Sequence, residues 1–223
     1  MFAMLQFQQM RVSGFNETIT WYDQNAEQYT QACENMSLPD EIEKFVDSLP
    51  KNAKVLDAGC GGGRDASLLK KRGVGVTGID LSSGLIKVAK EKHPDIDFVE
   101  GNFLRLPFED KSFDGIWNHA SLLHLETVDE VKTALGEFER VLKNGGILYT
   151  KVKAQTGSDK TAVVRDSLSN HERFFQYFTM AEIQTLLNDS GFEIVNLDQY
   201  NEADKMPPGR SEVEWIVALS KKS

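Results

Sequence analysis

The stretch that decides the fold is Val55-Leu56-Asp57-Ala58-Gly59-Cys60-Gly61-Gly62-Gly63-Arg64-Asp65. An apolar run of strand character, Lys54–Ala58, enters a turn with four glycines in five residues. A segment of helical character, Arg64–Arg72, leaves it. A merely tight strand-to-helix turn needs one glycine, at most two. More of them let a ligand approach the backbone itself, because no Cβ stands in the way. A dinucleotide site would want G-x-G-x-x-G, and that register puts Arg64 where the third glycine belongs. The pattern present is Asp-x-Gly-x-Gly-x-Gly, at Asp57, Gly59, Gly61 and Gly63. A carboxylate at the strand end suits a ligand with a cationic amine and repels a pyrophosphate.

Working outward, Gly73 stops the first helix and Val74–Ile79 reads as a second strand. Asp80 ends that strand, 21 residues after Gly59, where a carboxylate can accept from both ribose hydroxyls of an adenosine. Taken alone, Asp80 would serve equally as a surface residue or helix cap. Ser82 and Ser83 are N-cap candidates for a helix with Leu81, Leu85 and Val88 on one face, ending before His93-Pro94. Ile96–Val99 and Phe113–Trp117 are the next strands, separated by a loop broken at Pro107. Val128, Val131, Leu135, Phe138 and Leu142 mark an amphipathic helix, and a Gly145-Gly146 turn leads into Ile147–Val152. Thr179 with Glu182 forms a capping box for a helix that Gly191 closes; Phe192–Leu197 and Val213–Leu219 follow without a helix between them. Repeated strand–helix–strand units predict an α/β, Rossmann-like doubly wound sheet of seven strands, mostly parallel, with an antiparallel strand near one edge.

Residues 1–223 read as a single domain. Residues 11–50 carry one or two helices ahead of the first strand, 51–152 form the core, 153–178 are a polar and then aromatic insertion, and 179–223 supply the last helix and strands. Both additions fall near the carboxyl ends of the strands, where open α/β sheets bind ligands, and are expected to act as lids.

The run VLDAGCGGGRDA, then GIDLS, GNFLRLPF, FDGIWNHASLLHL and VLKNGGILY, resembles the class I S-adenosylmethionine-dependent methyltransferases over roughly residues 50–155. More loosely, the tail (RFFQYFTMAEIQTLLNDSGFEI, then PPGR and EWIVALSKK) is similar to a bacterial small-molecule subgroup. The resemblance implies S-adenosyl-L-methionine as cofactor and methyl transfer by direct in-line displacement. It implies that Asp57, Gly59, Cys60, Gly61 and Gly63, with Arg64 opening the helix, cradle the methionine part. Asp80 would hold the ribose, and Leu81 would pack on the adenine. Asn102 stands where the family usually has an acid contacting the adenine amino group. Its amide oxygen can still accept that hydrogen bond, without charge assistance. Phe103 would offer its N–H and ring edge to the adenine, or be plain core.

Such a transfer needs a positioned nucleophile and, where required, a base to remove its proton. Asn118, His119 and His124 lie just after the fourth strand. The first is expected beside the cofactor, and the two histidines are the catalytic candidates, His124 being as well suited to packing or capping. Asn118-His119-Ala120-Ser121 is not the Asn/Asp-Pro-Pro-Tyr/Phe arrangement of enzymes that methylate amide or nucleobase nitrogens. No carboxylates stand at this loop as in Mg-dependent catechol-type enzymes, so no metal is expected. The segment Trp21–Tyr29 resembles a lid helix, with Tyr22 and Tyr29 seven apart on one face and suited to closing on a sulfonium. Amphipathic packing would explain them as well. Arg173 and Tyr177 in an aromatic patch, with Arg210 after Pro207-Pro208-Gly209, are candidates to line an acceptor pocket and grip a carboxylate. Lys143, Lys151 and Lys153 read as solvated charges.

Composition narrows the partners. Lys plus Arg number 25 against 34 Asp plus Glu, a net charge of −9, with no basic block; a phosphate backbone is repelled and no nucleic-acid partner is expected. Two cysteines cannot build a disulfide framework or a structural zinc site. No apolar run spans a membrane, and the N-terminal residues lack a leader pattern, so no membrane partner is expected and the cytoplasm is the simplest address. The leading reading is a methyltransferase for a small-molecule acceptor, of unread oligomeric state. Two alternatives stay open at this point: a non-catalytic S-adenosylmethionine sensor or partner domain, and a nicotinamide-dependent oxidoreductase that Arg64 disfavours.

Overall fold

A computed structural model of the chain describes residues 18–34, 39–165, 172–205 and 213–223. Three helices precede the sheet: α1 over residues 18–24, α2 at Ala26–Cys33 and α3 at Pro39–Asp47. The core then alternates β1 (Lys54–Ala58), α4 (Arg64–Lys71), β2 (Gly75–Asp80), α5 (Ser83–Lys92), β3 (Asp97–Glu100) and β4 (Phe113–His119). After a 3-10 turn at Leu122–His124 come α6 (Val128–Val141) and β5 (Leu142–Lys153). A hairpin, β6 (Thr161–Arg165) and β7 (Glu172–Gln176), leads to α7 (Met180–Asp189), β8 (Phe192–Asn201) and β9 (Glu214–Lys222).

The main sheet has seven strands in the order β3-β2-β1-β4-β5-β9-β8. All neighbours among β1 to β5 are parallel, and β9 runs antiparallel to both β5 and β8. The expected Rossmann-like sheet is therefore present. Its antiparallel strand is inserted one place in from the edge, as the missing helix between the last two strands requires. The chain order reverses between β1 and β4, which opens the crevice in which such sheets hold ligands.

Period-two alternation sorts the core into two layers. Leu56, Ile116 and Leu148 face α6 and α7, joining Leu135, Phe138 and Leu187 in one cluster. Val55, Trp117 and Tyr149 face the other way, against Ile42 and Phe45 of α3 and Leu69 of α4. Trp117 stacks on Tyr149 with ring centroids 3.7 Å apart. Because both faces are covered, β5 is buried at seven successive positions, Gly146 to Val152. The capping box of Thr179 and Glu182 forms, and Thr127 with Glu130 makes a second one at α6. Among the described residues no helix is long and apolar enough to cross a membrane.

The insertion contains a hairpin that its polar and aromatic composition did not announce. Phe174 and Phe175 lie in the β6–β7 pairing, opposite Val163 and Ala162. Each face of β7 carries one polar and one aromatic residue, Arg173 with Phe175 and Phe174 with Gln176, so no apolar–polar alternation marks it as a strand.

Candidate functional site

The crevice at the carboxyl ends of β1, β2, β4 and β5 is a cavity of about 560 Å³, roofed by α1, α2 and β7. At one end the glycine loop turns under strain that only glycine accepts freely: Gly59, Gly61 and Gly63 have φ of +81°, +52° and +82°. The Gly59 and Cys60 N–H groups both donate to the Ile79 carbonyl, at 2.8 and 3.0 Å, which pins the loop against the end of β2. At Gly61 the place a Cβ would occupy has no other described atom within 4 Å, whereas one at Gly59 would strike Ser121 and one at Gly62 would strike Thr30. The loop thus has a closed back and an open front.

Two carboxyl groups flank that opening. Asp57 is buried, and its Oδ2 has no hydrogen-bond partner. Burial, with Asp65 close by, pushes the Asp57 carboxyl well up from its usual range. Asp80 accepts from the Gly61 N–H at 2.8 Å through Oδ2 and from the Ser82 N–H at 3.0 Å through Oδ1. Burial outweighs these bonds and raises it as well. Asn102 Oδ1 accepts from the Leu104 N–H at 2.8 Å, so one of its two lone pairs is already used.

At the other end, His119 Nδ1 lies 2.6 Å from Asp65 Oδ2, with the Arg64 guanidinium 3.3 Å from the same nitrogen. The shorter contact to a carboxylate places the proton on Nδ1, which leaves Nε2 as the ring's base. Asp65 is held by several donors: Arg64 through Nε at 2.7 Å and an Nη at 2.9 Å, and Trp117 Nε1 at 3.1 Å. Burial would raise Asp65, but Arg64 and His119 more than reverse it and hold the carboxyl well below the usual range. His119 itself is pushed down by burial, against the pull of Asp65. Asp65 stood in the quoted glycine stretch without a role; its position in the first turn of α4 was legible, its meeting with His119 was not.

The roof is tied down at several points. Asp23 Oδ1 accepts from Ser82 Oγ at 2.6 Å and from the Gly84 N–H at 2.9 Å, joining α1 to the start of α5. Arg64 donates to the Cys33 carbonyl at 3.2 Å, and Arg173 of β7 donates to the Tyr22 hydroxyl at 2.6 Å. Tyr22 and Tyr29 meet edge to face at 4.9 Å although the helix breaks at Asn25 between them, and the Arg173 guanidinium stands 5.9 Å from each ring. The helical lid and the hairpin therefore touch over the cavity.

Other expected residues fall differently. Asn118 and Gly63 lie beneath the cavity rather than on its wall: Asn118 Nδ2 donates to the Ala58 carbonyl at 3.0 Å, and Gly63 packs its α-carbon against Phe98. The Cys60 side chain sits in a core cluster with Ala66, Ile86 and Phe98, so what it offers the loop is backbone. His124 hydrogen-bonds the Phe174 carbonyl at 3.0 Å through Nδ1, fastening the hairpin to the 3-10 turn. Tyr177 is half-buried and off the cavity wall, and Arg210 lies outside the described residues. Lys151 corrects its reading as a solvated charge: its side chain is only 3% exposed and lines the cavity. A lysine in a strand covered on both faces has no solvent side to take, and the run Ile147–Lys153 carried that signal.

A methyltransferase-domain family model matches residues 56–150. A putative methyltransferase of Encephalitozoon cuniculi is 30% identical over 200 residues, 82% of this chain and 91% of that protein. The chain belongs to the class I S-adenosylmethionine-dependent methyltransferases. A Methanosarcina mazei S-adenosylmethionine-dependent methyltransferase structure is similar with a TM-score of 0.71 and 25% identity, covering 80% of this chain and 96% of that one. A demethylmenaquinone methyltransferase of Renibacterium salmoninarum is 41% identical over 95 residues, which is 43% of this methyltransferase and 39% of that enzyme. The nicotinamide alternative falls with this assignment.

The residues of this methyltransferase fit the family's cofactor. The open front of Gly61 accepts a group against the backbone, and the orphaned Asp57 Oδ2 suits a cationic amine beside the loop. Asp80, at the end of β2, keeps lone pairs beyond the two spent on its own turn. Among the described residues no group of three or more His, Cys, Asp or Glu side chains is arranged to hold a metal.

Proposed function

We propose that this methyltransferase transfers a methyl group from S-adenosyl-L-methionine to a small-molecule acceptor, with His119 as general base. The observation that carries the reading is the 2.6 Å His119–Asp65 pair on the wall of the same cavity as the glycine loop and Asp80. The cofactor supplies an activated methyl on a sulfonium, whose C–S bond breaks as the acceptor's nucleophile bonds to the methyl carbon. Asp57 and the loop hold its amino-acid part; Asp80, Leu81, Asn102 and Phe103 take its adenosine. His119 Nε2 accepts the proton the acceptor loses, and Asp65 keeps the ring's Nδ1–H turned away, stabilising the imidazolium that forms. Asp65 is a positioning residue.

A cavity of about 560 Å³ lies within the range of small-ligand sites and supports a small acceptor over a polymer. The helices of residues 11–50 and the insertion at 153–178 are proposed as cofactor and acceptor covers around a single domain, since α1, α2 and β7 already roof the cavity. Demethylmenaquinone is the substrate named for one relative, but the match reaches two fifths of that enzyme, and the acceptor here is a separate question.

The test is homocysteine release, after nucleosidase treatment of the product, across a panel of phenols, amines, thiols and activated carbon acids. Calorimetry with S-adenosylhomocysteine and NAD runs beside it. Adenosyl binding with turnover of at least one acceptor that His119→Ala abolishes is the expected result. Turnover insensitive to His119→Ala would refute the assigned base.

A further inference from the structure

The register of β4 on β5 sets His119 directly opposite Lys151. Successive side chains alternate faces, so both stand on the face that carries Trp117 and Tyr149, at neighbouring strands' carboxyl ends. Each has one helix carboxylate behind it: Asp65 of α4 behind His119, and Glu41 of α3 behind Lys151. The two pairs differ in closeness. His119 is hydrogen-bonded to its acid, whereas Lys151 Nζ is 3.9 Å from Glu41 Oε2, beyond hydrogen-bonding range.

Glu41 has other donors. Tyr149 donates to Oε2, and Tyr200 Oη and Lys205 Nζ donate to Oε1 at 2.8 and 3.2 Å. Lys151 Nζ instead rests 4.8 Å from the Trp215 ring and 5.3 Å from the Tyr200 ring. Among the described residues it makes no hydrogen bond, although the residue is only 2% exposed and its side chain lines the cavity. An ammonium has three N–H donors, and on the cavity wall they are available to a bound oxygen. Burial pushes the group down to about 8, with Glu41, Glu202 and Asp65 pulling it up and Lys205 pushing it down; it remains mostly charged at neutral pH. The wall it belongs to also carries Lys153 and Arg173, against Glu202 and against Asp65, whose charge is already met by Arg64. In a chain of net charge −9 that local excess of cations is opposite to the whole.

We propose that Lys151 is the acceptor-anchoring residue of this site, and that the acceptor is a planar molecule bearing an oxyanion (carboxylate, phenolate or enolate) adjacent to the nucleophilic atom that His119 deprotonates. Lys151 donates to that oxygen, while the Trp215 indole and Phe175 offer flat apolar surface to the ring system. A strand's spacing separates the two groups, so the anchored oxygen and the deprotonated atom belong to neighbouring positions of one small molecule. The inference rests on the function proposed above and narrows its substrate class.

The experiment uses the full chain saturated with S-adenosylhomocysteine and two matched pairs: 2-naphthoate against 2-naphthalenemethanol, and 4-nitrophenol against 4-nitroanisole. Binding is read by calorimetry, and ionisation of bound nitrophenol by its absorbance. The expected result is a preference of about tenfold or more for the naphthoate, the size of one charge-assisted hydrogen bond, and a rise in phenolate absorbance on binding. Lys151→Met should abolish both, and Lys151→Arg should keep the anion preference; S-adenosylhomocysteine affinity reports that each variant is folded. If the wild-type protein binds no S-adenosylhomocysteine, the methyltransferase function itself fails. If that binding is intact but the anion of each pair binds no tighter than its neutral partner, or not at all, the role of Lys151 is overturned. An anion preference that survives in Lys151→Met overturns it too. A preference confined to the naphthoate pair places a carboxylate at Lys151, and one confined to nitrophenol places a phenolate or enolate.

Discussion

The two ends of the cavity are built in different ways. The end proposed for the cofactor is backbone: three glycines with positive φ, N–H groups pinned to the end of β2, and acids fixed at strand termini within 24 residues of one another in the chain. The end proposed for the acceptor is side chains: His119 and Lys151 from two strands, Asp65 and Glu41 from two helices, Arg173 from the hairpin and Trp215 from the last strand. A backbone site is specified by local sequence and admits one kind of ligand. A side-chain site is specified by which elements the topology brings together, and a single substitution can change what it accepts.

That division implies that damage at one end should leave the other working. The largest effect belongs to His119→Ala, which should lower kcat by roughly 10²–10⁴-fold while S-adenosylhomocysteine affinity stays the same. Asp65→Asn should lower kcat less and shift the rate profile. Rate requires neutral His119, whose pKa burial holds below its ordinary value, so wild-type kcat should fall on the acid side and be level at neutrality, below the range near 8 where free Lys151 loses its charge. Asp65 pulls that pKa up, so its removal should move the acid limb to lower pH. Equal losses in kcat and cofactor affinity would erase the division.

Asp80→Ala should act at the other end, weakening cofactor binding by about 1–3 kcal/mol through unpaired ribose hydroxyls and the lost Gly61 and Ser82 contacts. At saturating cofactor, kcat should be close to wild type; a collapse in kcat at saturation would show that the ends are coupled through the loop.

The smallest effect is a proton. Burial and Asp65 raise the Asp57 carboxyl, so the free site holds a proton there to higher pH than an ordinary aspartate does. A cationic ligand favours the ionised form, and binding should release that proton. Affinity for S-adenosylmethionine should therefore rise with pH, by at most tenfold per unit, until Asp57 is ionised in the free protein. Calorimetry in two buffers of different ionisation heat measures the release, which Asp57→Asn should abolish. No proton release in the wild-type protein would remove Asp57 from the amine.

Much of the fold was legible because it is repetitive and local. The repeated strand–helix units gave the parallel core, the absent helix before β9 announced its reversal, and Thr179 with Glu182 marked the start of α7. The hairpin at 161–176 was missed because β6 is short and its partner is crowded with aromatics. Lys151 was misread because charge was weighed without the burial of its strand. Asp23, Glu41 and Asp65 were passed over because each partners a residue at least 54 positions away.

By itself the sequence determined the sheet, the glycine turn and the acids at the ends of β1 and β2, since each follows from periodicity or backbone conformation within a few residues. Only the tertiary structure decided that His119 is held by Asp65, that the Lys151 ammonium lies at the cavity beyond hydrogen-bonding range of Glu41, and that Arg173 reaches Tyr22 across the roof. Those pairings depend on the order of strands in the sheet, where β4 lies between β1 and β5 and thereby sets residues distant in the chain side by side.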